Sequence, residues 1–150
     1  MTTERSRSAH PGAEARRHRS FRLPPETLRK LEQRARDIGT SQAALADRYL
    51  DEGFRRDEHP SIAFVDGPAG RRPRIAGTGL DVAEVVEAFR NADGSIDEAA
   101  AYLGIPARLV REALRYYTDY GPEIDAWILR MHEISDREEE AARRLRAVLG

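Results

Sequence analysis

The chain has 150 residues, enough for one average domain or two small ones, and its lack of cysteine excludes disulfide bonds and thiolate metal sites. Its net charge is only -1, but residues 1–75 hold 16 Arg and Lys against 11 Asp and Glu, whereas residues 76–150 hold 9 against 15. The first half is therefore the better candidate for contact with phosphate groups. The N-terminus has no signal-like apolar stretch and no apolar run reaches the length of a membrane span, so we expect a cytoplasmic protein.

The first 18 residues are predicted to be a disordered basic arm. They are rich in arginine, serine and alanine and contain almost no large apolar residue, so they cannot bury enough surface to offset the entropy lost on ordering. Beyond them, Phe21 and Leu23 alternate with polar residues, which is the period of a strand, and Pro24-Pro25 ends this pattern. The sequence therefore predicts a short strand directly after the arm.

Two helices are predicted to follow this strand. Pro25 suits the first turn of a helix, and apolar residues recur at helical spacing up to Gly39, where the first helix is expected to end. Ser41 can cap the second helix. The apolar residues of that helix are Leu45, Ala46, Tyr49, Leu50 and Phe54. One strand and two helices leave an apolar face and a strand edge uncovered, so residues 19–57 are predicted to form a dimer.

This unit resembles the ribbon-helix-helix family, in which two strands pair antiparallel and lie in the major groove of DNA. The resemblance rests on the strand pattern, the Pro-Pro-Glu helix start and the Gly39-Thr40-Ser41 junction. It implies that the outward-facing residues His18, Ser20 and Arg22 bind DNA, and Arg22 suits a bidentate contact to guanine. Arg19 departs from the pattern, because its position should be apolar and face inward. The alternative is a helical hairpin with an incidental extended lead-in.

A second domain is predicted over residues 60–128, after the helix-breaking His59-Pro60. Ile62–Val65 and Arg71–Ile75 flank a turn rich in glycine and proline, and this pattern predicts a β-hairpin.

Three short helices are predicted after the hairpin. Capping boxes that begin at Asp81 and Ser95 each indicate a helix start, and a third helix is expected from about Pro106. Their apolar residues are Val82, Val85, Val86, Phe89, Ile96, Ala99, Ala100, Leu103, Leu109, Val110, Ala113, Leu114 and Tyr117. These residues predict one small core.

The junction between the second and third of these helices resembles a helix-turn-helix. Gly104 can end a helix in a left-handed turn, and Ala100 and Val110 have the spacing of the small and aliphatic residues found in such motifs. The exposed positions of the following helix are predicted to be Ala107, Arg108, Arg111, Glu112 and Arg115. Three arginines on one face suit a DNA groove. The alternative, that the helices only close a core, stays open because this half of the chain is acidic.

Residues 60–130 also resemble the family called domain of unknown function 433. The matching stretches are Phe64–Pro68, Arg74–Thr78, Leu114–Tyr117 and Glu123–Ile128. Gly79 departs from the pattern, which usually has arginine after Gly-Thr. Members are commonly proposed as VapB-like antitoxins encoded beside a toxin with a PIN-like nuclease fold. The resemblance therefore implies an antitoxin that binds its operator DNA and neutralises a PIN-like ribonuclease.

Residues 129–150 are predicted to form a C-terminal amphipathic tail. Apolar residues recur at roughly helical spacing, and Ser135-Asp136 is expected to interrupt the helix and cap a new one. Because PIN-like nucleases hold metal with carboxylates, an arginine inserted there can pair with them. The residues predicted to bind the toxin are Arg143, Arg144 and Arg146, with Leu145 and Leu149 as apolar anchors. The alternative is that the tail packs on its own domain or on a dimer mate.

No catalytic or metal site is predicted. The four histidines are scattered, and no set of nucleophile, base and orienting group is found. We therefore expect no enzyme activity and no cofactor. The expected fold is mainly α, with a ribbon-helix-helix dimer unit, a helix-turn-helix-like domain bearing a β-hairpin, and a C-terminal helix. The expected function is a type II antitoxin that forms a homodimer or a higher even oligomer; the alternative is a stand-alone DNA-binding transcription regulator without a toxin.

Overall fold

The computed structural model describes residues 17–150, so most of the predicted arm lies outside the described residues. The described residues contain five helices and one antiparallel pair of strands. These are α1 (Pro25–Ile38), α2 (Gln42–Glu58), β1 (Ile62–Val65), β2 (Arg72–Ile75), α3 (Val82–Asn91), α4 (Ile96–Leu103) and α5 (Ala107–Leu149). The prediction of a mainly α fold is confirmed. No helix in this part of the chain is both long and apolar enough to cross a membrane.

The chain divides into two compact units inside α2. One unit ends at Leu45 and the other runs from Ala46 to Gly150, whereas the sequence placed the domain boundary near residues 57–60. The reason lies in side chains of the second part of α2. Glu52 accepts hydrogen bonds from Arg71 next to the hairpin, and these contacts join that part of the helix to the second unit.

In the first unit, α1 has the predicted boundaries. Pro25 occupies the first helical position, and Gly39 ends the helix in the left-handed region at φ 68°, which glycine adopts without a Cβ clash. The Ser41 hydroxyl accepts a hydrogen bond from the Ala44 N–H at 3.1 Å and so caps α2 as predicted.

The predicted strand before α1 is not present in the single chain. Residues 17–24 have no regular secondary structure, and the side chains of Phe21 and Leu23 are 77% and 46% exposed. The strand-like alternation of these two residues therefore does not correspond to a strand in the single chain. A ribbon strand takes its hydrogen bonds from a second chain, so one chain by itself cannot form it.

The second unit has one core between the hairpin and α3, α4 and α5. In the hairpin, Ile62 pairs with Ile75 and Val65 with Arg72, and both isoleucines are buried in the core. The helix starts at α3 and α4 are as predicted. Glu84 accepts from the Asp81 N–H at 2.7 Å. The Ser95 hydroxyl accepts from the Glu98 N–H at 3.2 Å.

The predicted core is incomplete, and one detail of the predicted tail is wrong. Tyr117 packs against the core as predicted but is only partly buried, whereas Tyr116, which the prediction left out, is fully buried. Helix α5 also runs without interruption through Ser135-Asp136, and its single non-helical residue is Tyr120, at φ -126° and ψ 27°. Pro122 explains that position, because proline lacks an N–H and its ring clashes with the preceding helical turn.

Candidate functional site

The first group of predicted DNA-binding residues lies in the segment before α1. His18, Ser20 and Arg22 are all exposed there. The single chain does not hold them on the face of a strand, so their joint orientation stays a prediction.

The second group lies on the first turns of α5. Arg108, Arg111 and Arg115 are exposed, and their spacing of three and four residues puts them on one face of the helix. None of them forms an ion pair with any residue between 17 and 150. Their guanidinium groups therefore remain available to an anionic partner.

The start of α5 is positioned by the junction with α4. Gly104 has φ 67°, in the left-handed region, and Pro106 precedes the first helical residue as expected. Ala100 is buried and Val110 is fully buried. The glycine turn and the small residue predicted from the sequence are thus in the places where they let two helices approach closely.

The predicted toxin-binding residues lie at the far end of α5. Every residue from 135 to 150 is exposed, and Leu145 and Leu149 project with 59% and 77% of their surface in solvent. Arg144 lies 3.6 Å from Glu140, one turn earlier. This end of the helix contributes nothing to the core of its own unit.

A polar cluster that the sequence did not indicate joins the second part of α2 to α5. The Arg55 guanidinium donates to the Tyr116 hydroxyl at 2.8 Å and to Glu123 at 2.9 Å, and it lies 4.1 Å from the centre of the Tyr120 ring. Burial lowers the pKa of Arg55, but the hydrogen bonds to Tyr116 and Glu123 outweigh it and leave the pKa above its ordinary value. Burial also raises the pKa of Tyr116 to about 12.

A buried histidine stands beside this cluster. His59 is only 1% exposed; its Nε2 lies 2.8 Å from an Asp119 oxygen, and its ring meets the Tyr116 ring edge-on. The only sequence signal for this residue was its place at the end of α2, where the chain turns into Pro60. The cluster as a whole holds the second part of α2 against α5.

We expect Arg55→Met to destabilise the protein. The substitution leaves the buried Tyr116 hydroxyl without its donor and Glu123 without its cation, and a loss of this kind costs about 1–3 kcal/mol. Urea unfolding of the second unit measures it. Arg56→Met, at an exposed neighbour, is the matched control and should change stability little; equal stability of the two variants would contradict a structural role for the cluster.

Between residues 17 and 150 the structure contains no group of three or more His, Asp or Glu side chains able to hold a metal ion. Helix α5 presents exposed arginines near its start and both exposed arginines and exposed leucines near its end.

The comparisons with protein-family models, with curated proteins and with solved structures find no match to this chain.

Proposed function

We propose that the chain is a DNA-binding antitoxin that binds its operator as a dimer and neutralises a PIN-like ribonuclease toxin with the end of α5. The observation that carries the proposal is the exposure of residues 135–150 on a helix that extends beyond its own core. An amphipathic helix with leucine and arginine side chains in solvent suits a partner that has an apolar groove and acidic groups.

Support for a dimer comes from the segment before α1. Phe21 is 77% exposed in the single chain, which is costly for a large aromatic side chain. A ribbon formed with a second copy would cover Phe21 and Leu23 and would turn Ser20 and Arg22 outward. That arrangement is the one the ribbon-helix-helix resemblance implies.

The arginine row of α5 offers a second surface for DNA. Arg108, Arg111 and Arg115 are exposed and free of ion pairs within the described part of the chain, as noted above. They follow a helix-turn-helix-like junction, in which the second helix enters the major groove. We assign them the weaker contact, because the half of the chain that contains them carries an excess of carboxylates.

A stand-alone transcription regulator is the second candidate. It is favoured by a groove of about 480 Å3 in the second unit, lined by Trp127, Met131 and Ile134 among others. Its size is that of many small-molecule sites. Co-purification of untagged neighbours from the native host separates the two candidates, since only an antitoxin retains a nuclease.

We expect the basic arm to add affinity and not sequence preference. Its arginines are Arg5, Arg7, Arg16 and Arg17. The first three lie outside the described residues, and Arg17 is exposed. A segment of this composition can neutralise phosphates and release counterions. Deletion of residues 2–17 should flatten the dependence of log Kd on log salt and leave the preferred sequence unchanged. An unchanged salt slope would remove the arm from the DNA interface.

A further inference from the structure

The groove in the second unit combines an apolar floor with an acidic rim. It lies between the hairpin turn, α3 and the second half of α5. Its floor includes Trp127, Met131 and Ile134, and its rim includes Glu84, Glu87 and Glu138. The one arginine of the lining, Arg72, is already bound to Asp81. An occupant of this groove must therefore present apolar side chains flanked by positive charge.

The face of α5 that lines the groove continues beyond it. Its residues follow one another at alternating steps of four and three, which is the spacing of a coiled-coil seam. They are Trp127, Met131, Ile134, Glu138, Ala141, Leu145 and Val148. The first four line the groove, whereas Leu145 and Val148 are 59% and 82% exposed. The first half of the seam, residues 127–138, thus lines a groove. The second half, residues 141–148, is exposed to solvent and is called the bare half below.

The bare half has the chemistry that the groove requires. Residues 141–149 contain three arginines and no carboxylate, whereas residues 127–140 contain two arginines and five carboxylates. The bare half cannot fold back into its own groove, because both halves belong to one continuous helix. At 1.5 Å per residue, Leu145 lies about 21 Å beyond Met131. Only another molecule can bring such a segment to the groove.

We propose that two copies of the chain pair their α5 helices antiparallel, so that each places its residues 141–149 in the groove of the other. Antiparallel packing puts Met131 opposite the partner's Val148 and Ile134 opposite the partner's Leu145. The twofold axis then passes between residues 139 and 140. The same surface serves both copies, so the contact closes on itself as a dimer.

Charge supports this direction of pairing. The side of α5 nearest α3 carries His132, which contacts Glu87. In an antiparallel pair, this side of one helix faces the same side of the other helix. The partner's Arg146 is therefore brought to the α3 side, where Glu84 and Glu87 form the rim. On the other flank, Arg137 meets the partner's Arg144. Glu140, 3.6 Å from Arg144 in its own helix, reduces that repulsion.

Disulfide trapping in the full-length protein tests the pairing, since the chain has no cysteine of its own. In a Met131→Cys/Val148→Cys variant the two sulfurs of one chain are about 26 Å apart along the helix, too far for an internal bond. We expect most of the protein to become a covalent dimer under mild oxidation. Ile134→Cys/Leu145→Cys is a second pair and should give the same result if Met131→Cys disturbs the fold.

The control is Leu129→Cys/Val148→Cys, because Leu129 is exposed on the opposite face of α5. It should remain mainly monomeric on a non-reducing gel, even if the first unit also dimerises. Equal trapping of the control and test pairs would overturn the proposal. So would strong trapping of Met131→Cys alone, which indicates parallel helices. The helix pairing does not depend on the proposed toxin. If the pairing is not observed, the antitoxin proposal is still tested separately by rescue of cells that express the toxin.

Discussion

Truncation after Asp136 is expected to abolish rescue of cells that express the toxin while leaving a soluble protein that still binds DNA. The removed residues, 137–150, are all exposed, and the last residue of α5 in the buried core is Ile128. The cut therefore removes no buried side chain. If this segment supplies the arginines that pair with the toxin's carboxylates, its loss removes neutralisation completely. Growth of cells that carry both proteins measures rescue, and gel-shift titration measures DNA binding.

Alanine substitutions test whether rescue depends on the charges of the arginines or only on the presence of the helix. The variant Arg143→Ala/Arg144→Ala/Arg146→Ala should also lose rescue, because alanine preserves the helix but removes the charge. Glu139→Ala changes the same exposed region but leaves the Arg144–Glu140 ion pair intact, and it is the control, with rescue retained. Full rescue by the truncated protein would rule out this site. Unfolding of the truncated protein would instead favour packing of the segment on its own chain.

Arg22→Ala is expected to abolish specific DNA binding, whereas Arg108→Ala should weaken it less. One bidentate contact between arginine and guanine contributes about 1–3 kcal/mol of discrimination, and a symmetric dimer would lose two of them. The reason for ranking Arg22 first is charge, since residues 1–75 carry a cationic excess and residues 76–150 an anionic one. Gel-shift titrations at one fixed salt concentration, with specific and scrambled DNA, measure both effects.

Arg34→Ala is the control for the loss of one positive charge in the same unit. Arg34 is exposed on α1, and its removal should lower affinity for both DNA sequences slightly and equally. Normal binding by Arg22→Ala together with no binding by Arg108→Ala would contradict the ranking of Arg22 above Arg108. The recognition element would then be the helix-turn-helix-like junction of α4 and α5.

The antiparallel α5 pair and the toxin would use the same residues. Leu145 is an anchor in both proposals, so a toxin that binds residues 141–149 must displace the second copy. The free protein and the toxin complex should therefore differ in trapping. Addition of the toxin before oxidation should reduce the disulfide-linked dimer of the Met131→Cys/Val148→Cys variant, and undiminished trapping would place the toxin elsewhere.

Pro122 carried a signal that could have located the interruption of α5. A proline inside a helix disturbs the residues just before it, and Tyr120 is the residue that departs from helical geometry. Ser135-Asp136 resembled a helix start, but both residues are exposed and are followed by glutamate, alanine and arginine, which favour a helix. Capping residues alone therefore did not end the helix.

The contacts that join α2 to α5 had no comparable signal. Arg55 and Tyr116 are 61 residues apart in the chain, and His59 and Asp119 are 60 apart. Neither pair has a spacing that local patterns can identify. Helical spacing predicted Tyr117 in the core, and Tyr117 does pack against it. It did not indicate Tyr116, which is fully buried and contacts Arg55 of α2.

Most helix and strand boundaries of this protein can be read from the amino-acid sequence, because those positions depend on local chemistry. Gly39 and Gly104 accept left-handed turns, Ser41 and Asp81 lie at helix starts, and the turn after β1 is built from glycine and proline. Which side chains of α2 and α5 meet depends on how distant helices pack, so local patterns could not predict it. The same holds for the continuation of α5 past its own core, which leaves an apolar and basic surface for another molecule to cover.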